Sequence, residues 1–256
     1  MKKTQKNFQM VKSLFNMELE RVGYNGVVGV AGFKKVYHEL MPVQRKKLKE
    51  LSNGQFGNFM KEGSIVCLGI ADPEYAIDCI DAKFGDGRID RNTWNIYARE
   101  YHKLNRILED ISRGLSERLY GISIPATIDG NANKFKNVDE YYGMTVSHRV
   151  IAENAGLGWR GKNELIINET FSCTLRFASL LTTLPLIQGR KAENLCGVCD
   201  ACLKACPFLR NKEKIEDYRE VCRRYIIRLN LGADVCGKCI KACYRQGIFS
   251  SKLKLH

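Results

Sequence analysis

Eight of the eleven cysteines in this 256-residue chain lie between Cys196 and Cys243. The first four follow the pattern C-x2-C-x2-C-x3-C-P, in Cys196, Cys199, Cys202, Cys206 and Pro207. This is the run of bacterial ferredoxins, in which three thiolates bind one [4Fe–4S] cluster and the fourth binds the neighbouring cluster. Clustered cysteines in a chain without a secretory signal favour metal or redox chemistry over disulfides.

The second cysteine group completes the pattern. It contains Cys222 and the spacing Cys236-x2-Cys239-x3-Cys243. Reciprocal sharing assigns Cys196, Cys199, Cys202 and Cys243 to one cluster, and Cys206, Cys222, Cys236 and Cys239 to the other. Tetrahedral zinc is the alternative, but zinc ribbons use two separated C-x2-C pairs and do not match the i, i+3, i+6 triplet.

A glycine-rich stretch, AGLGWRGKN, precedes the cysteines. Gly156, Gly158 and Gly161 match G-x-G-x-x-G, which binds dinucleotides only between a strand and a helix. Here a predicted helix (145–156) comes before it and a predicted strand (164–168) after it, so we reject the dinucleotide interpretation. Gly156 is a plausible helix C′ residue. Three glycines around an exposed Trp159 suggest that the backbone closely approaches something flat or bulky.

The remaining elements must position these residues. Periodicity predicts helices over 3–22, 92–120 and 214–229, a polar helix-like connector over 43–56, and strands over 26–33, 64–71, 122–128 and 176–186. Helices and strands are mixed without a clean βαβ alternation, so the predicted fold class is α/β or α+β. We place a domain over 1–187 and a small metal-templated module over 188–256.

The composition limits the function classes. Apolar residues make up 45% of the chain, and no run reaches the length of a membrane span, so we expect a cytoplasmic protein without a membrane partner. The net charge is +13, of which +8 lies in residues 190–256. This excess favours polyanionic partners such as nucleic acid. Arg223 and Arg224 are candidate phosphate contacts there.

Five stretches of the chain carry a family resemblance: HRVIAENAGLGWRGKNELIIN, LPL, CGVCDACLKACP, CGKC-x3-C and YAREYHKLNRIL. From about residue 94 to 245, the chain resembles the epoxyqueuosine reductases. Those enzymes are cobalamin-dependent iron–sulfur reductases that complete the tRNA base queuosine. The resemblance implies a nitroreductase-like cobalamin-binding domain followed by a two-cluster ferredoxin-like module. It also implies that the glycine loop and the strands after it line the corrinoid.

Individual roles follow from the resemblance by position. Gly156, Gly158, Trp159, Ile166 and Phe177 would lie in the corrinoid lining, Gly237 would lie where the second cluster nears the corrin, and Arg99 or Lys162 would give ionic help. The family's proton-donating aspartate falls on Tyr142 in an ungapped count, and a short gap would bring in Asp139 instead. A tyrosine acid needs a nearby cation, such as Arg149 or Lys162, because the pKa of a phenol is about 10. His148 and His102 are interpreted as surface or capping residues.

The function that follows is a reductase that removes an oxygen or another leaving group, with two [4Fe–4S] clusters and cobalamin as cofactors. Epoxyqueuosine in tRNA and a small molecule are both candidate substrates, and a ferredoxin or flavodoxin would supply low-potential electrons. The first alternative is an electron-transfer partner that reduces a corrinoid protein or another enzyme. A second is a nucleic-acid-binding protein with structural clusters.

Overall fold

The computed structural model describes residues 2–126 and 134–248. Within these residues the chain forms the following elements in order: α1 (Lys3–Val22), β1 (Gly26–Gly32), α2 (Phe33–Glu39), α3 (Pro42–Leu51), α4 (Phe56–Glu62), β2 (Ser64–Ala71), α5 (Glu74–Asp78), α6 (Arg91–Arg118), β3 (Ile122–Ile124), α7 (Val138–Met144), α8 (His148–Asn154), β4 (Trp159–Arg160), β5 (Ile166–Ile167), β6 (Leu175–Thr182), α9 (Ala201–Ala205), α10 (Pro207–Arg210), α11 (Tyr218–Leu229) and α12 (Lys238–Gln246).

The core of the fold is an antiparallel sheet in the strand order β1-β2-β6-β3, and β4 and β5 form a separate hairpin. Every residue of β2 is buried, because helices cover both faces of the sheet. A strand buried on both faces is expected to be continuously apolar, as SIVCLGIA nearly is. The mixed helix-and-strand class is confirmed, and the antiparallel pairing selects the α+β form of it.

Two helical layers enclose the sheet. On one face, α1 and α6 pack their apolar stripes together through Val11, Phe15, Leu104 and Leu108. On the other face, α2, α3, α4 and α8 form a second core. Asp90 precedes α6 as its N-cap, and its carboxylate accepts a hydrogen bond from the Thr93 backbone N–H. This long helix spans from the sheet to the cysteine region.

The predicted elements are largely confirmed. The helix over 3–22 and the strand over 64–71 have the predicted ends, and α6 begins and ends within two residues of its prediction. Ser147 caps α8, and Gly156 follows the Ala155 C-cap as its C′ residue. The predicted strand over 122–128 is shorter: β3 ends at Ile124, and residues 127–128 lie outside the described residues. The strand predicted over 164–168 shrinks to β5.

The cysteine region packs directly on the rest of the chain. No helix or strand occurs from residue 183 to 200, after which α9 to α12 follow. Ile240 and Val235 share a hydrophobic cluster with Trp94, Tyr97 and Ile80. The boundary at residue 187 stays a prediction, as do the nitroreductase-like and ferredoxin-like details. Among the described helices, none has the length and apolar character that crossing a membrane requires.

Candidate functional site

The three loop glycines are required by contacts of the chain with itself. Gly156 has φ +74°, and a Cβ there would lie 2.9 Å from the Arg190 carbonyl oxygen. Gly158 has φ +147°, and its Cβ would lie 2.0 Å from the Ile167 carbonyl oxygen. At Gly161 a Cβ would lie 2.7 Å from Cγ1 of Ile167. The bulky neighbour of this loop is therefore the β4–β5 hairpin itself, together with residue 190.

The loop also holds the first cysteine segment. Trp159 is 2% exposed, so the expectation of an exposed indole is wrong: the ring packs in the cluster with Ile240 and Val235. Its Nε1 donates a hydrogen bond to Cys196 Sγ at 3.4 Å. The Lys162 ammonium donates to the carbonyl oxygens of Gly197 at 2.7 Å and Cys199 at 2.9 Å. Lys162 thus clamps the loop that carries the first two cysteines.

The thiols of the first cysteine group interact with one another. Burial raises the pKa of Cys202 to about 11, and the neighbouring Cys243, Cys196 and Cys199 add to the shift. Cys243, which comes from α12, accepts a hydrogen bond from Ser172 Oγ at 3.3 Å. A bond from the Cys173 thiol, together with this one, lowers the pKa of Cys243 despite its burial. These four thiols are the set that the sequence assigns to one cluster.

The thiols of the second group lie together around a cavity. Burial raises the pKa of Cys222 to about 11, with Cys206 adding to it, and that of Cys236 to about 12, with Cys222 and Cys206 adding. Burial also raises the pKa of Cys239, and the neighbouring Cys236, Cys222 and Cys206 add to this shift. Cys206, Cys222, Cys236 and Cys239 all line one cavity of about 470 Å³.

Tyr142 also lines this first cavity. Arg149 and Arg219 line the cavity beside it, and the pKa of Arg219 is raised, against the effect of its burial, in part by its interaction with Tyr142. Asp139, the alternative acid, is exposed on α7 and does not line this cavity. Lys162, a predicted partner of Tyr142, instead donates hydrogen bonds to the first cysteine loop. The cations that line the cavity with Tyr142 include Arg149 and Arg219.

Arg176, which also lines the first cavity, is the centre of a buried polar cluster. Arg176 on β6 donates to Tyr97 Oη at 3.0 Å, lies 3.4 Å from the Asp72 carboxylate and stacks on Tyr101 at 4.3 Å. Burial raises the pKa of Asp72 to about 6, while Arg176 opposes the shift. The cluster is not predicted from the sequence. The available signals are an arginine within a mostly apolar strand and two tyrosines four residues apart on α6.

A second cavity of about 210 Å³ shares Tyr101, Tyr142, Arg149 and Arg176 with the first. His148 lines it and is 6% exposed, so the expectation of a surface or capping histidine is wrong. Its ring bonds to Ser179 Oγ at 2.9 Å and to the Pro125 carbonyl at 2.7 Å. Burial lowers its pKa to about 4, which leaves the imidazole neutral at pH 7.

The predicted corrinoid residues are divided by the structure. Ile166 and Phe177 line the second cavity, and Gly237 lines the first. Arg99 is exposed on α6, and neither cavity is lined by Arg99, Gly156, Gly158, Trp159 or Lys162. Within residues 2–126 and 134–248, no three His, Cys, Asp or Glu side chains converge as a site for a single metal ion. A [4Fe–4S] cluster differs from such a site because each thiolate binds a different iron.

Comparison with known proteins identifies relatives of the matched region. The chain is 30% identical over 152 residues to an epoxyqueuosine reductase of Listeria monocytogenes, covering 58% of this chain and 36% of that one. It is 28% identical over 189 residues to an epoxyqueuosine reductase of Gloeobacter violaceus, covering 73% and 50%. These relatives confirm the resemblance found in the motifs. The chain spans about a third to a half of their length.

Solved structures give weaker similarities. An epoxyqueuosine reductase structure from Streptococcus thermophilus matches with a TM-score of 0.48 and 15% identity, over 93% of this chain and 67% of that one. A structure of epoxyqueuosine reductase with an epoxyqueuosine-modified tRNA stem loop matches with a TM-score of 0.44 and 17% identity, over 79% and 52%. No protein-family model matches the chain.

Proposed function

From this kinship with the epoxyqueuosine reductases, we propose that the protein is an iron–sulfur, corrinoid-dependent reductase that acts on an epoxyqueuosine-like substrate. One observation carries the proposal. The thiols of Cys206, Cys222, Cys236 and Cys239 open onto the same cavity as Tyr142 and Arg176. An electron delivered at the thiol end would therefore arrive directly beside a chamber that contains an acid and several cations.

The donor set fits two [4Fe–4S] clusters. Cys202 interacts electrostatically with Cys243, Cys196 and Cys199, and Cys239 interacts with Cys236, Cys222, Cys206 and also Cys202. Most of these interactions fall within the two sets that reciprocal sharing predicts. Thiolate ligands are stabilised by hydrogen bonds, and Trp159 and Ser172 already donate to two of these sulfurs.

The cavities offer surfaces for a flat cofactor. Tyr101, Tyr141 and Phe208 give the first cavity aromatic walls, against which a flat ring system can stack. Ile166, Phe177 and Gly237 would hold the corrinoid. When bound, that group supplies a low-potential nucleophilic reductant. The residues that line the two cavities would contact it and shield it from bulk water.

Tyr142 is the proposed proton donor. Removing an oxygen from a substrate leaves negative charge on that oxygen, and a proton must reach it as the C–O bond breaks. The guanidinium groups of Arg149 and Arg219 would stabilise the phenolate that remains after transfer. Two electrons and two protons in total would release the oxygen as water. Asp139 lies outside the cavity and would need a rearrangement of α7 to serve.

We further propose tRNA as the substrate carrier and a ferredoxin or flavodoxin as the electron donor, in the cytoplasm. The positive charge of residues 190–256 supports a polyanionic partner. Arg223 is unsuited to phosphate contact because its side chain is 13% exposed and bonds to Glu220 and the Phe135 carbonyl. Arg224 is 67% exposed, so Arg224→Glu should weaken tRNA binding and its salt dependence, while Arg223→Glu would also damage the fold.

The decisive test is anaerobic turnover. Reconstituted protein is loaded with hydroxocobalamin, reduced chemically and given tRNA that carries epoxyqueuosine, and the modified base is quantified. Conversion by the wild type and by Cys79→Ser, together with no conversion by Cys222→Ser, would support the proposal. Cys79 is a suitable control because it lies outside both cysteine groups. Clusters and corrinoid without conversion would favour the electron-transfer partner, and a protein that binds no corrinoid would refute the proposal.

A further inference from the structure

Three side chains direct hydrogen-bond donors at sulfurs of the first cysteine group. Trp159 Nε1 lies 3.4 Å from Cys196 Sγ, and Ser172 Oγ lies 3.3 Å from Cys243 Sγ. The Cys173 thiol is within hydrogen-bonding range of Cys243 as well. Its alternative acceptor, the Ile240 carbonyl oxygen, is 3.9 Å away. A thiolate attracts the Cys173 proton more strongly than this distant neutral oxygen does.

All three donors are shielded from water. Trp159 is 2% exposed, Ser172 is 1% exposed and Cys173 is 3% exposed. Water cannot replace the bonds that these groups make, and a hydrogen bond in such surroundings is stronger than at the surface. The contacts are therefore fixed features of the first cysteine group.

The backbone at Ser172 points the same way. Ser172 has φ +51°, in the left-handed region that non-glycine residues disfavour. The turn is closed by a backbone hydrogen bond from Asn168 N–H to the Ser172 carbonyl oxygen at 2.7 Å. Glycine would adopt this backbone conformation more readily than serine. Strained conformations tend to persist where the side chain has a task. Here the strained backbone positions the Ser172 hydroxyl, which donates a hydrogen bond to Cys243 Sγ.

We propose that Trp159, Ser172 and Cys173 raise the reduction potential of the cluster held by Cys196, Cys199, Cys202 and Cys243. The inference rests on the proposed function, which supplies the cluster. Reduction adds one electron and no proton, and the added charge spreads onto the thiolate sulfurs. Donors aimed at those sulfurs stabilise the reduced form more than the oxidised form. The three residues are thus positioning residues that make the first cluster a better electron acceptor.

The test is an anaerobic redox titration of the iron-loaded chain, followed by electron paramagnetic resonance. The variants are Ser172→Ala, Trp159→Phe and Cys173→Ala. Each should shift the potential of the first cluster to more negative values and leave the second unchanged. The same variants in a Cys222→Ser background, which lacks the second cluster, assign the shift. Cys173→Ser keeps a donor and should give a smaller shift than Cys173→Ala.

The matched control is Ser52→Ala. Ser52 is another fully buried serine, and its hydroxyl donates to the Leu48 carbonyl at 2.7 Å, far from the cysteines in sequence. The reduction potential of the first cluster in Ser52→Ala should equal that of the wild type. Unchanged first-cluster potentials in Ser172→Ala and Trp159→Phe, with both clusters present, would overturn this inference alone. A wild-type protein without iron clusters would overturn the proposed function and this inference together. If Trp159→Phe fails to assemble the cluster, Ser172→Ala still decides.

Discussion

The two cysteine groups have the same ligand chemistry and opposite surroundings. The first is enclosed by protein: Trp159 and Ser172 bond to its sulfurs, and Lys162 bonds to its carbonyls. At its tip, however, Val198 is 97% exposed. The second group faces inward onto a cavity that also contains Tyr142 and Arg176. The first set of thiols therefore lies beneath an exposed loop tip, whereas the second set lines a cavity that we propose to be the reaction chamber.

The largest effect is expected when a thiol of the second cysteine group is removed, because only this group lines the cavity with Tyr142. Cys222→Ser should reduce the iron content from about eight to about four per chain and abolish substrate reduction. The first cluster should keep its spectrum, because its ligands come from a separate set of thiols. Iron analysis and electron paramagnetic resonance measure both effects. Cys79→Ser serves as the control, and loss of all iron in Cys222→Ser would show that the two groups are not independent.

The next largest effect concerns the acid in the cavity. Tyr142→Phe should slow substrate reduction by about 10²–10⁴-fold, because the variant keeps the ring and loses the proton. Clusters and corrinoid should stay bound. Asp139→Asn is the paired variant, and it should change the rate little since Asp139 is exposed outside the cavity. The reverse pattern would move the acid to Asp139.

A third prediction concerns the buried Asp72–Arg176 pair, which has no counterpart in the first cysteine group. The pKa of Asp72 is about 6 in the folded protein and about 3.9 in an unfolded chain. The native state thus binds this proton more tightly, so its contribution to stability is full below pH 4 and is lost as pH rises through 6.

The corresponding measurement is urea unfolding of wild type and Asp72→Asn between pH 5 and 7.5. The stability of the wild type relative to the variant should fall by on the order of 1–2 kcal/mol across this range. Asp110→Asn alters an exposed carboxylate on α6 and should show no such trend. A difference that stays flat for Asp72→Asn would mean that this carboxyl is ionised throughout.

The smallest effect is expected at the clamp on the first group. Lys162→Met removes two hydrogen bonds from a charged donor, which should accelerate loss of first-cluster iron to a chelator by about tenfold, or about 1.4 kcal/mol. The second cluster should be lost at the wild-type rate. Lys204→Met changes an exposed lysine in the same region and should have no effect. Equally faster iron loss from both clusters would indicate that Lys162→Met destabilises the whole cysteine region and not only the first group.

Much of this arrangement is predictable from the sequence, but not all. Cysteine spacing predicts two ligand sets because short loops dictate which thiols can converge, and these sets stay a prediction, whereas periodicity correctly predicts the main helices and strands. For the glycine loop, the sequence shows that Gly158 needs close contact but not that Ile167 supplies it, and contact of the loop with a corrinoid stays a prediction. His148, Asp72 and Arg176 were missed or misplaced because their burial depends on how β6 and α6 pack, which no local pattern contains.

The central claim is that the second cysteine group, and not the first, adjoins the chamber where the cofactor and substrate meet. The most direct measurement titrates a cobalt(II) corrinoid into the reduced, iron-loaded protein and records the electron paramagnetic resonance of each cluster. The account predicts that the signal of the cluster at Cys206, Cys222, Cys236 and Cys239 is broadened and that the first cluster is unaffected. A perturbation confined to the first cluster, or none at either cluster with corrinoid bound, would contradict it.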